Sequence, residues 1–134
     1  MPKQTFRLTL KSTYEESETV PDFVLEVQDK CSLNEDVTST LMLLASEAIT
    51  NAIEHGNRSD PSKIVKITIN VLADKIITHV IDQGEGFKPE ETVDPLKEEN
   101  LLNTSGRGIF LLQELSDEVE FLDDGREVQF VIYR

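Results

Sequence analysis

The chain has 134 residues, of which 38% are hydrophobic and 29% are charged, a composition that predicts one globular domain over residues 1–134. Its 26 acidic and 13 basic residues give a net charge of −13, which argues against direct binding to nucleic acid or to an anionic membrane, because both need a basic surface. A single cysteine, no apolar run near the ~20 residues that span a bilayer and no signal peptide indicate a cytoplasmic protein.

The first two predicted elements are a strand and a helix. Apolar residues at every second position predict a half-buried strand over Thr5–Lys11. Pro21 suits a first helical turn, and apolar residues at helical spacing continue from there to about Cys31, which predicts the first helix.

A second, longer helix is predicted from the stretch "SLNED" to Gly56. Ser32 and Asn34 are both plausible N-terminal caps, and Ser32 has the spacing of a capping box with Glu35. At ~100° per residue the apolar positions of this helix fill one arc, which must face the sheet. They are Val37, Leu41, Leu44, Ala45, Ala48, Ile49 and Ala52.

Polar side chains interrupt this helix where neither a surface role nor a core role calls for them. Glu47 and Asn51 lie one turn apart on the flank of the apolar arc, and His55 follows one turn later near its edge. A carboxylate and an amide oxygen directed at one small volume suit Mg²⁺, which takes few protein ligands and completes its shell with water and phosphate oxygens. The alternative is a polar flank with ordinary capping and solvation.

The second half of the chain is predicted to contain two hairpins and a helix. Ile64–Val71 and Ile76–Asp82 form the first hairpin, and "EVEFL" with "EVQFVIY" forms the last. Between them lie a long polar segment and a helix at "GIFLLQEL". The order predicts an α/β protein of the two-layer α+β sandwich kind, with a mixed, mostly antiparallel sheet and its helices on one face. Strand order does not follow from the pattern.

Two short glycine motifs flank the long polar segment. In "DQGEGF", Asp82 follows a strand and can accept a hydrogen bond from an exocyclic amine, while Gly84 and Gly86 let the backbone approach a flat ligand closely. In "SGRG", Gly106 and Gly108 open a helix, whose N-terminal N–H groups form a natural phosphate site. Taken singly, each motif also fits an ordinary turn.

The helix motif and the two glycine motifs occur together, and in this order, in the GHKL ATPase family, which the chain resembles. "SEAITNAIEHG" resembles the N box of that family, "DQGEGF" its first glycine box and "SGRGIFLL" its second. Within the family, "EAITNAIEHG" and the compact length are most similar to the bacterial anti-sigma factor serine/threonine kinases. The resemblance covers essentially the whole chain and implies a histidine-kinase-like ATPase domain.

The resemblance implies a role for the N-box residues and for the acid of the first glycine box. Asn51 would supply the oxygen that binds Mg²⁺, and Glu47 would be the catalytic base. Asp82 would hold the adenine amino group. His55 matches a histidine often found in the N box and is grouped with the residues that bind the cofactor.

The glycine boxes would surround the nucleotide. Gly84 and Gly86 would shape the adenine pocket, and the segment 88–105 would be a mobile ATP lid. The triphosphate site would take the second glycine box, Gly106, Arg107 and Gly108. Many relatives carry Thr near the start of the final strand, whereas this chain has "GREVQF", so adenine recognition there would need a water or another polar group.

The implied function is that of a protein serine/threonine kinase that uses ATP and Mg²⁺. Its partners would be a sigma factor and a STAS-type anti-anti-sigma protein, which competes for binding and accepts phosphate, and a homodimer is a further expectation. The acidic excess of the chain is compatible with ATP because Mg²⁺ neutralises much of the triphosphate charge. That excess could also attract a basic protein partner, or serve solubility alone.

Two alternative functions stay open. One is a detached histidine-kinase catalytic domain, although neither His55 nor His79, the only two histidines, lies in the context of a phosphoacceptor. The other is a binding module in which ATP orders a surface and is never turned over. Glu47 speaks against that module, because binding alone does not require a base.

Overall fold

The computed structural model describes residues 3–84 and 104–134, and the side chains of all of these except 104–109. Five strands and four α-helices form within this part, and a π-helical turn, Ala52–Gly56, extends the third helix. In chain order the elements are β1 Gln4–Lys11, α1 Tyr14–Ser17, α2 Val20–Cys31, α3 Glu35–Asn51, β2 Ile64–Val71, β3 Lys75–Ile81, α4 Thr104–Leu115, β4 Glu118–Leu122 and β5 Glu127–Tyr133.

The strands make one sheet in the order β1-β2-β3-β5-β4, and each of its four pairings is antiparallel. The predicted two-layer α+β class and both hairpins are confirmed, but the described sheet contains no parallel pair and is therefore not mixed. The last hairpin adds to the sheet through β5, so β3 becomes the central strand. The chain leaves β3 at Ile81, which brings Asp82 to the middle of one edge of the sheet.

The core lies between the sheet and helices α2, α3 and α4. Alternate residues of each strand point into it, and they meet across the strands, as Ile67 does with Val80 and Ile76 does with Ile132. Helix α3 packs against both α2 and α4, so it occupies the centre of the helical layer. Its predicted apolar arc is confirmed, since all of its members are buried except the partly buried Val37.

The start of α3 decides between the two predicted caps. The Asn34 carboxamide accepts a hydrogen bond from the Val37 N–H at 2.8 Å, which is the geometry of an N-cap. Ser32 instead ends α2 in the left-handed conformation, with φ 53°. The capping box predicted for Ser32 and Glu35 is therefore wrong, because α3 begins at Glu35 with Asn34 as its N-cap, and Ser32 lacks the extended backbone that an N-cap has.

Other boundaries differ little from the predicted ones. A short additional helix, α1, lies between β1 and α2, and β3 both starts and ends one residue earlier than predicted. Gly86 and most of the expected lid, 88–105, lie outside the described residues; the last two positions of that segment begin α4. Of the helices in the described part of the chain, none is long and apolar enough to cross a lipid bilayer.

Two adjacent leucines on α3 test which face of the helix packs on the sheet. Leu44 is 0% exposed and Leu43 is 40% exposed. Leu44→Ala should lower the free energy of unfolding by about 2–5 kcal/mol, because it leaves a cavity in the core. Leu43→Ala should lower it by less than about 1 kcal/mol. Urea denaturation of both variants measures this difference, and equal losses would mean that another face of α3 is buried.

Candidate functional site

Asp82 lies directly after the central strand and continues its ladder. The Asp82 N–H donates a hydrogen bond to the carbonyl oxygen of Arg126, just before β5, at 2.8 Å. The Asp82 carboxylate accepts a hydrogen bond from the Gly84 N–H, also at 2.8 Å. These two bonds hold the carboxyl group in a tight turn at the edge of the sheet, where it is partly buried.

Two glycines allow the end of the α3 helix to touch this turn. A Cβ atom on Gly84 would lie 1.9 Å from the carbonyl oxygen of Gly56, and a Cβ atom on Gly56 would lie 2.3 Å from a carboxylate oxygen of Asp82. Gly84 has no room for a side chain because it would meet the backbone of Gly56, and a side chain on Gly56 would displace the Asp82 carboxylate. The N-box segment and the first glycine box are therefore in direct contact.

The surroundings of Asp82 shift the pKa of its carboxyl group in opposite directions. Burial raises the pKa of the Asp82 carboxyl above its ordinary value of 3.8, and this effect prevails over the Gly84 hydrogen bond and the positive charge of Arg126, both of which lower it. The carboxylate of Asp123 adds a smaller raising effect. A partly buried acid with a perturbed pKa in a cleft is a candidate for a binding site, because such groups cluster where proteins bind ligands.

Asn51 and Asp82 line the same narrow cleft, at the junction of α3, β3 and β5. As it stands, the cleft has room for about one water molecule. Glu47 lies one turn before Asn51, and both side chains are partly buried. Besides Asn51 and Asp82, the residues that line the cleft are Ala48, Ala52, Val80, Phe121, Gly125, Arg126 and Val128.

His55 is not brought to this cleft. The helix widens into the π-helical turn after Asn51, where the Asn57 N–H donates to the Ala52 carbonyl oxygen five residues earlier. The wider turn changes the direction of the following side chains. His55 is exposed, with Nε2 3.9 Å from a carboxylate oxygen of Glu54.

Arg126 is a residue of the cleft that the sequence did not reveal. Its Nε donates a hydrogen bond to the Gly84 carbonyl oxygen at 2.8 Å, and its guanidinium lies 3.7 Å from carboxylate oxygens of Asp123 and Asp124. It belongs to "GREVQF", where the sequence departs from the threonine of many relatives. That departure was the only feature of the sequence that pointed to Arg126. Its contact with Gly84 joins residues 42 positions apart, which a local pattern does not reveal.

The second glycine box opens helix α4, which packs against α3. Gly106 and Arg107 fall in the first turn of the helix, and Gly108 follows directly. Over residues 3–84 and 104–134, no group of three or more His, Cys, Asp or Glu side chains could hold a metal ion. A magnesium ion would therefore depend on the Asn51 amide oxygen together with water and phosphate oxygens, a donor set that fits its chemistry.

A family model described as the histidine kinase-like ATPase domain matches residues 10–132. The chain belongs to this family. The match includes the N box and both glycine boxes, so the resemblance to the GHKL ATPases is confirmed. A search of curated proteins finds no match.

One similar solved structure contains the RsbU and RsbW domains of Rv1364c from Mycobacterium tuberculosis. It shares 19% sequence identity with this chain, with a TM-score of 0.65 over 99% of the chain. The chain corresponds to 32% of the length of that protein's chain. At this identity the similarity shows that the fold is shared.

The raised pKa of Asp82 predicts a pH-dependent effect on stability. The folded state holds the Asp82 proton more tightly than the unfolded state, so its carboxylate destabilises the fold above the raised pKa and has no effect below 3.8. Asp82→Asn should therefore melt at a higher temperature than the wild type at pH 7, and this gain should disappear as the pH falls below 3.8.

Asp60→Asn is the matched control for this measurement. Hydrogen bonds from Ser62 lower the pKa of Asp60, so its carboxylate stabilises the fold at neutral pH, and the control should melt at a lower temperature there. Thermal melts of both variants from pH 3 to pH 8 give the comparison. A loss of stability in Asp82→Asn at pH 7 would contradict the prediction.

Proposed function

We propose that this protein binds ATP with Mg²⁺ and transfers the γ-phosphoryl group to a serine or threonine of a STAS-type anti-anti-sigma protein, which competes with a sigma factor for the same chain. The observation that carries the proposal is the cleft shared by Asn51 and Asp82, within a histidine kinase-like ATPase domain. A residue suited to Mg²⁺ and an acid suited to a purine amine meet there although they are 31 positions apart in the sequence.

The adenine end of the site is assigned to Asp82 and the turn that it forms with Gly84. The Asp82 carboxylate has one oxygen engaged by the Gly84 N–H, which leaves acceptor capacity for the exocyclic amine of adenine. Guanine would place a carbonyl oxygen there and would be repelled. Because the cleft has room for about one water molecule, side chains around it must move when the purine enters. Gly86, outside the described residues, is proposed to extend this pocket.

The phosphate end is assigned to α3 and α4. Asn51 would hold Mg²⁺ through its amide oxygen, and Gly106, Arg107 and Gly108 would hold the phosphates near the start of α4. When bound, Mg²⁺ neutralises much of the triphosphate charge. This neutralisation allows a chain with a net charge of −13 to bind a polyanion.

Glu47 is assigned the role of base. Its carboxylate would take the proton of the acceptor hydroxyl, whose oxygen then forms a bond to the γ-phosphorus while the bond from that phosphorus to the bridging oxygen of ADP breaks. The base is one turn from Asn51 on the same helix, so the helix fixes its position relative to the proposed metal ligand.

Two substitutions separate binding from chemistry. Glu47→Gln should slow phosphoryl transfer by about 10²–10⁴ while nucleotide affinity stays within a few-fold, because only the base is lost.

Asn51→Ala should weaken ATP binding in Mg²⁺ far more than in EDTA, because it removes a metal ligand. Calorimetric titration and a labelled-ATP assay measure the two effects. Retained transfer in Glu47→Gln, or equal losses of affinity in Mg²⁺ and EDTA for Asn51→Ala, would contradict the assigned roles.

The reaction itself is tested on a co-purified anti-anti-sigma partner incubated with γ-labelled ATP. A phosphoester on serine or threonine is stable in acid, whereas phosphohistidine is not. We expect an acid-stable label on the partner, absent with Glu47→Gln. An acid-labile label would favour a histidine-kinase catalytic domain, and a partner that binds without becoming labelled would favour an ATP-gated binding module.

A further inference from the structure

Asn57 is a fully buried polar residue next to the proposed purine site. It directly follows Gly56, and its exposed fraction is 0%. Its carboxamide bonds three separate segments: Nδ2 donates to Ser12 Oγ at 2.8 Å and to the Ile64 carbonyl oxygen at 2.9 Å, and Oδ1 accepts from the Gln83 N–H at 2.7 Å. Both donors and the acceptor of this side chain are therefore used.

The contact with Gln83 is the one that reaches the site, because Gln83 lies between Asp82 and Gly84. Gln83 is held a second time through its side chain, whose Oε1 accepts a hydrogen bond from the Ile64 N–H at 2.8 Å. Asn57 and Ile64 thus fix the middle of the turn, while its ends carry the Asp82 carboxylate and the Gly84 backbone. The turn cannot shift without breaking the partly buried bond from the Gln83 N–H to Asn57, whose side chain belongs to a buried network.

The orientation of the Asn57 amide is determined by its partners. If the group were flipped, its NH₂ would face the Gln83 N–H and its oxygen would face the Ile64 carbonyl oxygen, which places donor against donor and acceptor against acceptor. A carboxamide therefore fits this position, because its NH₂ group donates to Ser12 and Ile64 while its oxygen accepts from the Gln83 N–H.

We propose that Asn57 is a positioning residue for purine recognition: it holds the Asp82–Gly84 turn in the geometry that selects adenine. The proposal rests on the proposed function, in which Asp82 binds the adenine amine. Gly56 meets the same turn through its backbone, so two successive residues of one segment contact it. The segment that ends the α3 helix then fixes the position of Asp82 relative to Asn51.

Ser12→Ala and Asn57→Ala form a matched pair of variants. Ser12 Oγ is at the far end of the network, where it accepts from Asn57 Nδ2 and donates to the Lys63 carbonyl oxygen at 2.8 Å. Both substitutions remove buried hydrogen bonds and should lower stability. Only Asn57→Ala removes the acceptor of the Gln83 N–H. If Asn57 served stability alone, the two variants would show the same Gln83 exchange and the same nucleotide preference.

The first measurement is amide hydrogen exchange by NMR on the ligand-free proteins. The Gln83 amide should exchange roughly tenfold faster or more in Asn57→Ala, because its buried acceptor is gone, and should stay protected in Ser12→Ala. This measurement needs no nucleotide, so it decides whether Asn57 holds the turn even if the wild type binds no ATP and the proposed function fails. An unchanged Gln83 amide in Asn57→Ala, or equal loss of protection in both variants, would overturn the proposal.

The second measurement is the affinity for ATP and for GTP, at a temperature where all variants are folded. Asn57→Ala should lose roughly tenfold in ATP affinity and little in GTP affinity, which narrows the preference between them, whereas Ser12→Ala should keep the preference. A wild-type preference in Asn57→Ala would overturn the positioning role.

A conservative variant keeps the proposal falsifiable if Asn57→Ala does not fold. Asn57→Asp retains an oxygen for the Gln83 N–H and, when protonated, one donor for the Ile64 carbonyl oxygen or Ser12 Oγ. It is measured in mildly acid solution, where the buried carboxyl group is neutral. It should be less stable than the wild type yet keep a protected Gln83 amide and, where the wild type binds nucleotide, the ATP preference. Loss of that protection in a folded Asn57→Asp would overturn the proposal.

Discussion

The candidate site depends on the contact between the backbone at Gly56 and the turn that carries Asp82 and Gly84. A single added carbon atom at either glycine would overlap atoms of the other segment. The absence of side chains lets a helix end and a strand end approach to the limit set by their backbones. The pairing of Asn51 with Asp82 in the proposed site follows from this approach, because Asn51 lies on one segment and Asp82 on the other.

Helix α3 is placed to use that contact. It is buried against the sheet along its apolar arc and packs between α2 and α4, so the core fixes the position of the flank that carries Glu47 and Asn51. The π-helical turn at its end adds a residue to the last turn, a feature often found at functional sites. At the end of that turn, Gly56 and Asn57 contact the Asp82–Gly84 turn, Gly56 through its backbone and Asn57 through its side chain.

The same arrangement keeps the Asp82 carboxyl group partly buried, which disfavours its charged form. Burial raises the pKa of Asp82, and the Gly84 N–H and the charge of Arg126 compensate only in part. Arg126 also holds the turn, through a hydrogen bond to the Gly84 carbonyl oxygen. The carboxylate is therefore held by several fixed groups before any ligand arrives, which reduces the reorganisation that binding would require.

The sequence by itself determined the strands, the buried arc of α3 and the family, because alternation, helical periodicity and the three motifs are all local patterns. The tertiary structure alone decided that β5 pairs with β3, that Asn34 and not Ser32 caps α3, and that the helix widens after Asn51. It also showed Arg126 and Asn57 at the turn. Local patterns specify which face of an element is buried, but not which distant segment covers it, and the bonds of these two residues to the turn join positions 42 and 26 residues apart.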